Sequence, residues 1–122
     1  MITEIETQAE TICLNGAEAG RAIWLAVDCA IEAGMPAKRA RYMFDAMLET
    51  MMDEMPETQS LLFAASAFET IPDKATSTAE RAKINSNAWR AYELFVGDAR
   101  EAAAEDRADY YNDLARDERV SA

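Results

Sequence analysis

Apolar residues recur along this chain at steps of three and four, and no alternating strand pattern appears, so the pattern predicts helices throughout. The longest periodic stretch runs from Thr78 to Arg119, with no proline and a single glycine. Ala82, Trp89, Tyr92, Val96, Ala99, Ala103, Tyr110 and Leu114 fall there on one face of one helix. Ser77 and Glu80 have the capping-box spacing that starts a helix. Arg116 and Arg119 suit the negative end of the helix dipole at the other end. About 40 residues at roughly 1.5 Å each make a rod on the order of 60 Å, more than a domain of this size needs to cover its own core.

Thr3 and Glu6 repeat the capping spacing before a segment that runs to about Ala33. Its seam of Ile5, Ala9, Ile12, Gly16, Ala19, Ile23, Ala26 and Ala30 is heptad-like and crosses Gly16 in phase. That continuity predicts one helix, with Asn15-Gly16 as the alternative break into two. Gly16 and Gly20 lie one turn apart and let a second backbone approach, either within the monomer or from another subunit.

Gly34 stops this helix as a C′ residue and Pro36 opens the next at N1. From Ala37 to Glu54 the residues form columns four apart: Met43, Met47, Met51 and Met55; Phe44, Leu48 and Met52; and Asp45, Glu49 and Asp53. The methionine column fits ordinary core filling or an adaptable groove for partner helices. Pro56 and Glu57 open a shorter helix to about Thr70, with Leu61, Ala64, Ala65, Phe68 and Ile71 facing the core. Residues 70–77 then read as a loop. The expected architecture is all-α: one domain over residues 1–122, an antiparallel bundle of four to five helices whose long members span about 4–33 and 78–118. Such a bundle leaves the rod overhanging beyond Ala103, with Tyr110, Tyr111 and Leu114 uncovered unless a second subunit or a partner buries them.

Charge narrows the function. The chain has 122 residues with 23 Asp and Glu against 12 Lys and Arg, a net charge of -11. That sign disfavours direct binding to nucleic acid or anionic membranes and favours a protein partner with a basic surface. From Asp98 to Arg119 there are eight acids and four arginines. The net of -4 over roughly 33 Å is several fold below the on the order of 19 charges of a duplex that long, so simple attraction is expected and not phosphate mimicry. Cys13 and Cys29 are the only cysteines. On one helix they would stand roughly 24 Å apart, beyond disulfide reach. The acidic start MITEIETQAE lacks the basic then apolar pattern of an export signal, and no run approaches a membrane span, so a cytoplasmic location is expected.

Candidate chemistry is sparse. There is no histidine to serve as general base or zinc ligand, and no Gly-rich loop to cradle phosphate. Asp45, Glu49, Asp53 and Glu54 resemble the helical carboxylate spacing with which all-helical nucleotide pyrophosphohydrolases hold magnesium. The resemblance implies a magnesium-dependent nucleotide hydrolase as an alternative function. That pattern also needs a facing acidic pair, for which Glu101 with Glu105 or Asp109 are the candidates. One column supplies too few oxygens for a closed site, so no metal or other cofactor is expected and weak binding at most. Lys38, Arg39 and Arg41 sit in a helix first turn against the dipole, which invites an anion or pairing within the fold.

Glu101, Glu105, Asp109, Asp113 and Asp117 follow one another four apart, each like pair costing a few tenths of a kcal/mol. Together with Tyr110, Tyr111 and Leu114 they form the expected partner-binding set. The expected function is non-enzymatic: an acidic protein-binding inhibitor or adaptor, similar in general character to phage or mobile-element proteins that block host nucleases. A structural homo-oligomer through the long helices is a further alternative.

Overall fold

Thr3 opens the first helix as its spacing predicts, its hydroxyl accepting from the Glu6 amide at 3.1 Å. The computed structural model describes residues 3–121, and their side chains as far as residue 116. Four α-helices result: α1 (Glu4–Glu32), α2 (Ala37–Met52), α3 (Glu57–Glu69) and α4 (Thr78–Ser121), with a short 3-10 turn at Asp73–Ala75. α1 crosses Asn15 and Gly16 without a break. Both capping-box starts are only half used. Thr3 and Ser77 cap the amides of Glu6 and Glu80, while the two glutamate side chains pair across helices with Arg100 and Arg41.

Gly34 ends α1 at φ 105, a left-handed backbone that glycine adopts without steric cost. Its amide donates to Ile31 at 3.0 Å and the Met35 amide donates to Ala30 at 2.9 Å, the paired bonds of a Schellman ending. Pro36 stands at the N-cap, with φ -58 and ψ 137, one position before the expected N1. Its carbonyl takes the first helical bond, from Ala40 at 3.0 Å, and its missing N–H is no loss where helical bonding has not begun.

The helices run up, down, up and down, but the bundle is not square. Gly16 lies against Phe63, and Gly20 against Ala67 and Thr70, so residue numbers rise together and α1 is parallel to α3. Glu6 meets Arg100, while Cys13 lies beside Ala88 and Tyr92, so α4 runs opposite to α1. The parallel pair α1 and α3 therefore touches across the middle, and α2 and α4 flank it. The two glycines permit this contact. A Cβ on Gly16 would strike the Phe63 carbonyl, and one on Gly20 would sit 2.8 Å from the Ala67 Cα. The small-residue seam thus serves packing within the chain, and its subunit-contact alternative fails at these two positions.

Two cores follow, one on each side of the central pair. Ile23, Val27, Ala40, Phe44 and Leu48 meet Phe63, Ala67 and Ile71 on the α2 side; Ala9, Leu62, Ala65, Ala91 and Val96 meet on the α4 side. Phe44 is fully buried between the rings of Trp24 and Phe68, at 6.2 and 5.7 Å. α3 serves both cores, which explains where the stripe expectation errs. Leu62, Phe63, Ser66 and Ala67 are buried, whereas Leu61 is exposed, because a central helix has two covered faces. On α4, Ala82 and Trp89 are exposed and Ile84, Ala91 and Val96 are buried. On α1, Val27 is buried where the seam anticipated Ala26. The methionine column divides: Met43 and Met55 pack on the core, while Met47 and Met51 remain exposed.

No sequence pattern marks Arg81, yet it clamps the end of α3. Its Nη1 donates to the Glu69 carbonyl at 3.2 Å, its Nη2 donates to the Ile71 carbonyl, and its Nε lies 3.1 Å from the Asp73 carboxylate. A helix end leaves such carbonyls unpaired, and charged donors supply what the backbone cannot. Arg81→Met keeps the stem and removes the donors. It is expected to cost about 2 kcal/mol, read as a lower urea midpoint at unchanged m.

Candidate protein-docking surface

α4 contains 44 residues, about 66 Å of helix, and the bundle covers only its first part. Among the described residues Ala103 is the last that is half-buried, and every described side chain from 104 to 116 is exposed. Tyr110, Tyr111 and Leu114 are 62%, 66% and 43% exposed. Leu114 lies five turns beyond Val96 and Tyr110 two turns beyond Ala103, so they continue the core-facing side of α4 where no other helix reaches. The two tyrosine rings meet edge to face at 5.8 Å, a preorganised aromatic pair. This projecting segment is an arm.

Its described acids form no ion pair. Among the described residues the ion pairs are Arg41 with Asp45 and Glu80, Arg81 with Asp73, and Arg100 with Glu6. Glu101, Glu105, Asp109 and Asp113 take part in none, and all four are exposed. The side chain of Asp117 lies outside the described residues. Arg107 turns back to its own helix, its Nε donating to the Ala103 carbonyl at 3.3 Å.

The α2 column is not brought to Glu101, Glu105 or Asp109, the facing acids that a metal site would need. Asp45 and Glu49 on α2 and Asp53 at its C-cap are exposed, and among the described residues no three acidic, histidine or cysteine side chains gather to hold a metal. Glu80 is the α4 residue that meets α2, and Glu101 lies about 31 Å further along the same helix. Asp45 instead belongs to the Arg41 cluster. Arg41 donates to Glu80 at 2.8 Å, stands 3.9 Å from Asp45, and lies 5.9 Å from the ring centres of Phe44 and Phe68. Of the basic cluster, Arg41 is thus paired within the fold, while Lys38 and Arg39 remain exposed.

Partial burial of its half-exposed carboxyl raises the Asp45 pKa, Arg41 opposes the rise, and Glu80 adds to it. A carboxyl raised in the folded state binds its proton more tightly there than in the unfolded chain. Its ionisation therefore weakens the fold as pH rises through that range. Asp45→Asn should be equal or slightly more stable than the parent at neutral pH and lose that advantage in acid, as denaturant titrations at the two pH values would show.

Sequence periodicity misses a second surface. Leu61, Ala64 and Phe68 of α3 and Ala91 and Leu94 of α4 line an open apolar groove whose one charged lining residue is Arg90; it adjoins a surface formed by α4 alone, running from Arg90 and Glu93 past Leu94 and Gly97 to Asp98 and Glu101. The exposure of Leu61 and Leu94 is its trace, and it depends on which neighbours flank α3 and α4. No helix among the described residues is long and apolar enough to cross a membrane. No known family, curated protein or solved structure matches the chain.

Proposed function

We propose that this protein is a non-enzymatic docking module, an inhibitor or adaptor whose α4 arm engages a basic surface on a larger protein. The observation that carries the reading is the arm: exposed from 104 to 116, with an aromatic pair and, among the described residues, carboxylates outside any ion pair on one projecting helix. An uncovered helix gains nothing from tertiary packing, and its i, i+4 acids repel. A cationic partner removes both costs. Enzymes that process nucleic acids carry such basic surfaces, which makes them the favoured targets, whether of a mobile-element inhibitor or of an adaptor. A second copy is the less favoured occupant, because two arms of the same sign repel. The cytoplasm suits the two free thiols, Cys13 and Cys29.

Recovery of a partner with tagged bait, followed by binding kinetics, tests this. Long-range charge governs association and buried aromatics govern dissociation. Charge reversal at Glu105, Asp109 and Asp113 should slow association about tenfold at low salt and flatten its salt dependence. Tyr110→Ala should leave association alone and speed dissociation about tenfold or more. Unchanged kinetics in both variants would move the interface off the arm.

A further inference from the structure

We infer that the groove between α3 and α4 receives one amphipathic helix of a basic protein partner, seated on Leu61, Ala64, Phe68 and Leu94 and passing over Gly97. The inference does not rest on the arm. The groove arises from the topology: α1 and α3 touch centrally, so the outward side of α3 is left between its flanking neighbours with apolar side chains on its floor. An apolar trough walled by a helix accepts the ridge of another helix, whose anchors recur at i, i+3 or i+4, and i+7.

Gly97 sharpens the fit. Glycine inside a helix is destabilising relative to alanine, and the other helical glycines in this fold show what compensates: Gly16 and Gly20 each have a backbone seated against the missing Cβ. Gly97 has nothing within 4 Å. A helix lying along the groove would supply the same close approach.

Charge selects the occupant. Where α4 runs on from the groove past Leu94 and Gly97, its surface carries Glu93, Asp98 and Glu101 against Arg90 alone, on a chain of net charge -11. A second copy would bring equal charge of the same sign, whereas lysines flanking an apolar ridge would meet these carboxylates.

The test uses the full chain and a synthetic peptide of about 18 residues, long enough for the roughly 21 Å from Asn87 to Glu101. Its leucines are spaced three and four apart and flanked by lysines. A scrambled peptide of equal composition and a version with glutamate for lysine serve as controls. Fluorescence anisotropy should show the lysine peptide binding at least tenfold more tightly than either control, with amide shifts centred on Ala64, Leu94 and Gly97. Leu94→Lys, at an exposed position, should weaken it at least tenfold. Gly97→Leu should do the same while its thermal midpoint holds or rises, which separates blockage from misfolding. Tyr110→Ala should bind the peptide as the parent does, so failure here and failure of the arm are distinguishable. Equal binding of the scrambled peptide, shifts confined to residues 104–116, or sedimentation showing a self-associated chain that Leu94→Lys dissociates would each overturn the inference.

Discussion

Gly20→Ala should destabilise the protein by about 3 kcal/mol, a large share of the roughly 5–15 kcal/mol that holds a domain together. The new Cβ would lie 2.6 Å from the Ala67 carbonyl oxygen and 2.8 Å from the Ala67 Cα. The Thr70 hydroxyl also crowds it, but a side chain can turn aside. The backbone of the last turn of α3 cannot, because Ala67 and Phe63 one turn before it are themselves core. Separating α1 from α3 would open both clusters, since α3 contributes Phe63 and Ala67 to one and Leu62 and Ala65 to the other. Gly16→Ala meets the Phe63 carbonyl, with the Phe63 Cα at 3.1 Å, and should behave alike. Each change should lower the melting temperature by about 10 °C. Gly97→Ala is the control: it gains helix propensity in open space and should stabilise by about 0.5–1 kcal/mol. Unaltered melting of Gly20→Ala would mean that α1 and α3 do not meet through their backbones.

That contact also marks the limit of what periodicity makes legible. Spacing places Ala9, Gly16 and Ile23 on one side of α1, and capping residues locate its start. These are local properties of a helix. What covers each face is not local. Leu62, Phe63, Ser66 and Ala67 span too much of a helix for a one-sided stripe, and only the central place of α3 explains their burial. Trp89 shows the converse: its size suggests core, yet the covered side of α4 passes through Ala88, Ala91 and Tyr92 and leaves the indole exposed. The arm is legible because its signal is length, and a helix of 44 residues must outrun partners of 29, 16 and 13. The groove at Gly97 is not, because a glycine without neighbours is visible only in three dimensions.

Ending the chain after Ala103 should separate folding from function. No described side chain from 104 to 116 is even half buried, so removing them takes no packing from either core. The denaturation midpoint should move by no more than about 0.5 kcal/mol, the scale of surface changes, while far-ultraviolet helix signal falls with the residues removed. Partner affinity should fall at least about a hundredfold, roughly 2.8 kcal/mol, because Tyr110, Tyr111 and Leu114 leave together with the carboxylates. Hydrogen exchange gives the matching result in the intact chain. Amides beyond Ala103 should exchange far faster than those near Ile84 and Val96, whose side chains are buried, because helix without tertiary cover opens locally. They should slow once the partner is bound. If truncation instead costs more than about 1 kcal/mol, a loss beyond ordinary surface effects, and that loss grows with protein concentration, the arm belongs to a self-assembled fold. Its occupant would then be a second copy of the chain.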